Sequence, residues 1–294
     1  MQYTNPLISI IIRTYNEEKK IKQCLEKVFS QKIDNPFEVI IIDSQSSDKT
    51  LDLVSNFPVK IISIAKKDFT FGRALNIGCS NAKGEYLVFL SAHAIPVSDA
   101  WLSYLIADLS LPGVVGVYGK HLADKDCNVL SAIRIERHFR RLELDQKTGK
   151  NNKFFCNTNT AITKKIWKTN QFNEEALMSE DQEWGRKILE LGYKLNYNER
   201  ASAYHYHNEN LRQIYHRYYC EIYSMLLIEN KIIKINFLLN IPYTLTFDTL
   251  SILSNKHNLT LLFRLFTDQL IWFVAVIVAS MVRLKVFFLG KKNL

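Results

Sequence analysis

Glycine and proline are scarce, 10 and 6 in 294 residues, which excludes a collagen-like or low-complexity chain. Cysteine is sparse as well: Cys24, Cys79, Cys127, Cys156 and Cys220 are scattered, with no CxxC and no zinc-like pairing. An odd set of this kind is expected as reduced thiols in a cytoplasmic protein, not as a disulfide framework. No strand-like run leads into a P-loop with Lys-Ser/Thr or into GxGxxG, so P-loop NTPase and dinucleotide-oxidoreductase chemistry lack their phosphate cradles. The N-terminus has no basic-then-apolar leader pattern, and the expectation is a protein not marked for export. Unbroken apolar length is also lacking: residues 270–282 are too short to span a bilayer, and extension to 289 takes in Arg283 and Lys285.

What is present describes a globular chain, 47% hydrophobic and 23% charged, with a formal charge of +9 and a pI near 9.2. That balance suits a polyanionic substrate or an anionic membrane surface. Residues 7–12, 39–42, 59–64 and 86–90 are short Ile- and Val-rich runs. Their continuity predicts strands buried on both faces, hence a mainly parallel sheet. Ile21, Leu25 and Val28 mark one intervening helix, Leu51 and Val54 another, with Asn16 and Ser47 as N-cap candidates. Repeated strand–helix–strand order predicts a three-layer α/β domain with ligands at the carboxyl ends of its strands.

Residues 133–153 are strongly charged and read as a helix with a solvated face, then a loop around 147–152. Beyond Ala203, Tyr, His and Arg crowd residues 204–223, followed by apolar stretches at 235–253 and 259–289. The expected division is an α/β domain over 1–210 and a helical C-terminal region over 211–294. A single late span would leave Arg283, Lys285, Lys291 and Lys292 outside, against the positive-inside tendency. An interfacial or core-packed helix, touching an anionic membrane peripherally, fits better. The aromatic and cationic tract at 205–223 is accompanied by no nucleic-acid fold, and no nucleic-acid partner is expected.

Residues 179–184, SEDQEW, place two carboxylates in the first turn of a predicted helix. Ser179 and Gln182 fit a capping box, Trp184, Ile188 and Leu191 follow at helical spacing, and Gly192 supplies the stop. The positive helix start favours ionised carboxylates, as a proton acceptor needs, although acids also favour a first helical turn for its own sake. Asp43 ends a buried strand, where it suits hydrogen bonds from a nucleobase or ribose, or the capping of the next helix. Asn157 and Asn159 suit sugar hydroxyls or turns. Trp101 and Trp184 suit ring stacking or plain packing.

Taken together, SIIIRTYNE at 9–17, VIIIDSQSSD at 39–48, FGRALNIG at 71–78, AKGEYLVFL at 82–90, FCNTN at 155–159 and EDQEW at 180–184 resemble the family-two glycosyltransferases. The resemblance covers roughly residues 5–210 and is nearest to bacterial enzymes that build surface polysaccharides. It implies the GT-A fold, a mostly parallel sheet flanked by helices, here with a C-terminal helical extension. It also implies a nucleotide-diphosphate sugar across the strand ends. Thr14 and Glu17 would then lie by the base, Asp43 by its uracil- or thymine-like edge or the ribose, and Arg73 and Asn76 by the diphosphate and sugar. An Arg fork suits phosphate oxygens on chemical grounds as well.

The same resemblance implies inversion by direct displacement, with Asp181 as base and Glu180 orienting the site or binding the acceptor. One departure stands out: Ser91-Ala92-His93 replaces the Asp-x-Asp element that holds a divalent cation in many relatives. His93, with His205 or His207, forms a candidate partial site for Mn²⁺ or Mg²⁺, and imidazole suits Mg²⁺ poorly. The alternatives are metal-independent transfer with His93 facing the phosphates, or histidines bonded within an aromatic surface. The expected activity is transfer of a hexose or deoxyhexose to a saccharide acceptor, lipid-linked, at the inner face of the cell membrane. The rivals are a polyisoprenyl-phosphate glycosyltransferase and a catalytically silent sugar-nucleotide binder.

Overall fold

The computed structural model describes residues 8–148, 154–207, 210–228 and 259–291. The chain divides into two compact units: Met1–Lys125, Ile135–Ala176 and Glu180–Tyr206 form the first, and Asp126–Arg134, Leu177–Ser179 and His207–Leu294 the second.

In the first unit, β1 (Ile8–Thr14) pairs in parallel with β2 (Phe37–Asp43), and β3 (Lys60–Ser63) extends β2. On its other side β1 pairs in parallel with β4 (Tyr86–Ser91). A two-residue β5 (Ile95–Pro96) lies at the far edge, antiparallel to β8 (Lys194–Tyr204). Between β4 and β6 (Val114–Leu122) runs β7 (Asn159–Thr163), antiparallel to both, and β6 pairs in parallel with β8. The order β3-β2-β1-β4-β7-β6-β8-β5 is one mostly parallel eight-stranded sheet.

Alternation explains why the apolar runs are continuous. Ile8, Ile10, Ile12, Val39, Ile41 and Val88 enter one core, while Ile11, Ile40, Ile42, Leu87 and Phe89 enter the other. Each face is covered, the first by α1 (Ile21–Phe29) and α4 (Trp101–Ala107), the second by α3 (Phe71–Asn81), α6 (Lys164–Thr169) and α7 (Glu180–Glu190). Each such side chain contributes about 1.5–3 kcal/mol by leaving water. The edge strand β3 departs from the expectation, because Lys60 and Ile61 are exposed. A strand with one neighbour has no second layer to require burial, and a lysine there discourages edge-to-edge pairing.

Two expected caps are corrected. The N-cap positions of α1 and of α2 (Thr50–Val54) are Lys20 and Lys49, neither with a side-chain cap bond. Asn16, at φ 54°, instead accepts from the Ser47 backbone at 2.8 Å through Oδ1. The two residues tie the loop after β1 to the loop after β2. From β1 the chain steps outward to β2 and β3, then returns to β4 on the opposite side of β1. The crevice at the carboxyl ends of β1 and β4 is therefore the place where strand order reverses, the usual ligand position in such sheets.

The second unit contains the start of α5 (Val129–Lys147), α8 (Leu211–Ile228) and α9 (Leu259–Lys291). Ile222 and Leu226 of α8 pack on Ala275, Val276 and Ala279 of α9, whose small side chains let the helices approach closely. Tyr215, Tyr219 and Tyr223 stack at i, i+4 spacing along α8. Asp268 of α9 is buried and accepts from Arg134 and from the Tyr218 hydroxyl, the latter at 3.1 Å. The window Leu265–Val282 has a mean hydropathy of 2.0 and is long and apolar enough to cross a membrane by length and composition, with 33% of it buried inside the protein. The apolar length thus begins before Leu270 and tolerates Asp268 because that charge is paired. The apolar stretch 235–253, the loop over 149–152 and Lys292 lie outside the described residues.

Candidate active site

At the end of β1 and β2, Thr14 and Asp43 are register partners, and the Thr14 hydroxyl donates to Asp43 Oδ1 at 2.9 Å. Ser46 donates its hydroxyl to the same oxygen at 2.6 Å and its backbone N–H to Oδ2 at 3.0 Å. Asp43 is fully buried. Its carboxylate faces Thr14 and Ser46 inside the fold and shapes the rim of the crevice from within. Beside it, Lys66 donates to the exposed Tyr15 hydroxyl at 2.6 Å, with its ammonium 4.6 Å from the ring centroid.

Glu17 follows on the same loop and reaches His93 just beyond β4, Oε1 to Nδ1, at 2.8 Å. The opposite nitrogen of His93, Nε2, lies 3.1 Å from Nε2 of His205, and the two rings stack at 4.9 Å. His121 of β6 adds a third ring, 5.0 Å from His205. Two imidazole nitrogens at this distance must share either a proton or a cation, since two lone pairs would repel. If Glu17 takes the Nδ1–H, His93 presents its Nε2 lone pair. His207 is the first residue of the second unit's final segment.

On α3, Arg73 donates Nε to Glu174 Oε2 at 3.0 Å and NH1 to the Asp68 carbonyl at 2.9 Å, and stays partly exposed. Asn76 is buried and saturated. Its Nδ2 donates to the Phe172 carbonyl and to Glu174 Oε1, and its Oδ1 accepts from the Trp167 indole and the Phe172 N–H. These bonds hold the Glu174 carboxyl below its ordinary range. Gly72 allows the approach, because a Cβ there would sit 2.1 Å from the Asn173 carbonyl oxygen. In this arrangement Asn76 has no bonding capacity left for a diphosphate, while Arg73 stands at the surface in an ion pair.

At the start of α7, Glu180 is buried and accepts from Arg13 NH1 at 3.2 Å. Its neighbour Asp181 accepts the Asn157 N–H at 3.0 Å and the Gln182 N–H at 2.7 Å. Burial, then the adjacent Glu180 charge, push the Asp181 carboxyl up to about 7, against the opposing pull of those two N–H groups and of Arg13. The Gln182 amide donates to the Phe155 carbonyl, and Ser179 sits at φ 66°, away from the extended backbone of an ordinary N-cap. Gly192, at φ 85°, does end the helix as anticipated.

The model of the family described as Glycosyl transferase family 2 matches residues 9–169. The chain belongs to glycosyl transferase family 2. Among curated proteins, it is similar to the O-antigen chain rhamnosyltransferase RfbN of Salmonella typhimurium, 28% identical over 226 residues, covering 72% of this chain and 70% of that one. It is 26% identical to the O-antigen chain rhamnosyltransferase WbaN of Salmonella anatum over 227 residues, covering 73% and 70%. Among solved structures, a mannosyltransferase from Pyrobaculum calidifontis in complex with GDP-Man and Mn²⁺ superposes with a TM-score of 0.59 at 19% identity, covering 76% of this chain. The chain spans 65% of that mannosyltransferase, just under two thirds. That likeness shows the fold, GT-A with its mostly parallel sheet.

In this glycosyltransferase the strand ends gather Glu17, His93 and His205, and Arg13 of β1 reaches Glu180 at the start of α7. Sequence reasoning did not select Arg13 or Glu174 as site residues. An arginine inside an otherwise isoleucine-rich strand was the available signal for the first. Asn157 is 2% exposed, and neither of its amide atoms has a partner among the described residues. Its backbone holds Asp181, so an unsatisfied amide and a raised carboxyl lie side by side. Asn159 is different, bonded to the Trp101 indole at 2.8 Å and the Ala201 carbonyl at 2.8 Å. Trp101 and Trp184 are buried, and both indoles donate inside the core, so packing is their role.

Proposed function

We propose that the enzyme transfers a hexose or deoxyhexose with inversion from a nucleotide-diphosphate sugar to a saccharide acceptor, in surface-polysaccharide synthesis. The observation that carries this reading is Asp181, a desolvated carboxyl raised to about 7 at a helix start and held by two backbone N–H groups. A carboxyl raised from its ordinary range toward neutrality approaches the optimum for general-base work. Asp181 takes the proton of the acceptor hydroxyl while the hydroxyl oxygen bonds to the anomeric carbon. The bond from that carbon to the diphosphate breaks on the opposite face, and its electron pair leaves with the phosphate. Asn157, with its unsatisfied amide beside Asp181, supports a sugar hydroxyl as the partner there. The rhamnosyltransferase relatives favour a deoxyhexose donor.

The nucleotide lies across the strand ends in this reading, near Thr14, Glu17 and Asp43, with Arg73 and His93 toward the diphosphate. The imidazoles fit a divalent cation. Two ligand atoms about 2.1 Å from an ion at right angles stand roughly 3 Å apart, and the His93 and His205 nitrogens are 3.1 Å apart. The Glu17–His93 bond is the usual outer support of a metal-bound histidine. His93 and His205, with His207 as a third candidate by sequence, would hold Mn²⁺ in preference to Mg²⁺. A bound cation supplies charge neutralisation at the departing diphosphate. The GDP-Man and Mn²⁺ complex of the Pyrobaculum mannosyltransferase supports the idea.

The apolar Leu265–Val282 window and the cations after it in sequence support a lipid-linked acceptor at the inner face of the membrane. A thermal-shift screen of UDP-, dTDP- and GDP-sugars identifies the donor, because a ligand that binds only the folded state raises the melting point. Transfer by the purified chain, abolished in Asp181→Asn with nucleotide binding retained, is the expected result. Nucleotide affinity without diphosphate release would instead make it a silent binder. A polyisoprenyl phosphate accepted in place of saccharides would make it the lipid-charging transferase.

A further inference from the structure

Two carboxyls at adjacent positions in a desolvated place tend to share one proton, which leaves neither as a defined base. Here their surroundings differ. Glu180 is 4% exposed and meets a guanidinium, whereas Asp181 meets two backbone N–H groups and, among the described residues, no side-chain cation by hydrogen bond. The guanidinium is that of Arg13, the penultimate residue of β1, which also donates to the Phe71 carbonyl at 3.2 Å and lies 5.0 Å from the Phe71 ring centroid. One side chain therefore joins the end of β1, the start of α3 and the start of α7.

We propose that Arg13 is a positioning residue that divides the work of the two acids, engaging Glu180 in an ion pair and leaving Asp181 as the one proton acceptor. The inference rests on the Asp181 reading above and deepens it. An arginine stays charged at all working pH values, so the 3.2 Å contact gives Glu180 a fixed cationic partner that Asp181 lacks. The Phe71 carbonyl and ring fix the guanidinium, and a fixed fork loses little freedom on binding. Asp181 then carries the labile proton, and its two N–H bonds orient it without neutralising it. Among the described residues, the groups that act on this pair include Arg13 from β1, the backbone N–H groups of Asn157 and Gln182, and the Cys156 thiol, whose own pKa is raised chiefly by burial and next by Asp181.

The test follows the ionisation of Asp181 directly, in the full chain labelled with ¹³Cγ-aspartate, the signal absent from Asp181→Asn serving as its assignment. Removing the cation in Arg13→Met should move the Asp181 midpoint upward by about one pH unit or more. Arg13→Lys should fall between that variant and the wild type. Adding Glu180→Gln to Arg13→Met should bring the midpoint back down, and by more than Glu180→Gln does in the wild type. An unmoved midpoint in Arg13→Met, or equal effects of Glu180→Gln in both backgrounds, would overturn the proposal. So would weakened UDP and dTDP binding in Arg13→Met with the midpoint unchanged, because Arg13 would then be a phosphate ligand. If Arg13→Met does not fold, Arg13→Lys with and without Glu180→Gln completes the same cycle. Near-normal transfer by Asp181→Asn ends the base assignment, whereas a zero coupling in the cycle ends only the role of Arg13.

Discussion

His93 and His205 meet nitrogen to nitrogen at 3.1 Å, with the Glu17 carboxylate 2.8 Å behind His93. If this pair holds the cation proposed above, the ion replaces the proton that the two nitrogens otherwise share. Transfer should fall in EDTA and return with Mn²⁺ more fully than with Mg²⁺, since imidazole suits the softer ion. His93→Ala should remove high-affinity Mn²⁺ binding measured by electron paramagnetic resonance. Glu17→Gln should weaken it by about 10–100-fold, the usual effect of losing an outer support. Mn²⁺ affinity indifferent to both variants would place any cation elsewhere.

The raised Asp181 carboxyl gives both activity and stability a pH dependence. Its rate limb should lie on the acid side, with turnover falling as pH drops below about 7 and the base takes up its proton. For stability, the folded value of about 7 lies above the unfolded value of about 3.9. Between them the folded state keeps a proton that the unfolded state has lost, so stability declines as pH rises through this window. Asp181→Asn cannot ionise and escapes that decline. Its melting temperature relative to wild type should rise from pH 4 to pH 8 and then level off. A constant offset across that range would mean that Asp181 is not raised.

Arg73 and Asn76 separate by consequence. Asn76→Ala strands the Trp167 indole, the Phe172 N–H and the Phe172 carbonyl in a buried place. Its cost in urea unfolding should be about 3 kcal/mol or more, from several unsatisfied groups at once. Arg73→Met removes one partly exposed pair with Glu174 and should cost less than about 1 kcal/mol. If Arg73 serves the diphosphate, that variant should still lower the affinity for UDP or dTDP at least tenfold. Equal stability losses in the two variants would contradict the contrast.

Legibility in the sequence followed the strength of the local pattern. The runs of isoleucine in β1 and β2 read as doubly buried strands, as they are, and the family motifs drew attention to Thr14 and Asp43 at their ends and to the Glu180–Asp181 turn that opens α7. What stayed hidden depends on contacts between residues far apart in the chain. Glu17 and His93 are 76 positions apart, Arg13 and Glu180 167, and no spacing rule links such pairs. The caps failed for a related reason. Asn16 and Ser47 have cap chemistry, but a partner on the neighbouring loop was closer than the helix ends they precede. Asn76 looked functional because it is polar in a site motif, while its four bonds turn inward.

The pairing of Arg134 with Asp268 yields the last prediction, and it concerns the second unit alone. Asp268 lies in an apolar window, is 6% exposed, and receives both Arg134 and the Tyr218 hydroxyl. A buried carboxylate is tolerated only while its partner is present, because the desolvation cost of each ion is several kcal/mol. Arg134→Met leaves the acid without its cation, and Asp268→Leu leaves the arginine without its anion. Each single variant should lose about 3–5 kcal/mol of the second unit's stability. The double variant, with two apolar side chains of similar volume, should recover most of that loss. Proteolysis of the purified chain, scored by cleavage within residues 211–228 and 265–282, reads this without reference to catalysis. Losses that simply add in the double variant would show that the two residues stabilise the helices independently, and that the charge in the apolar window is held by another group.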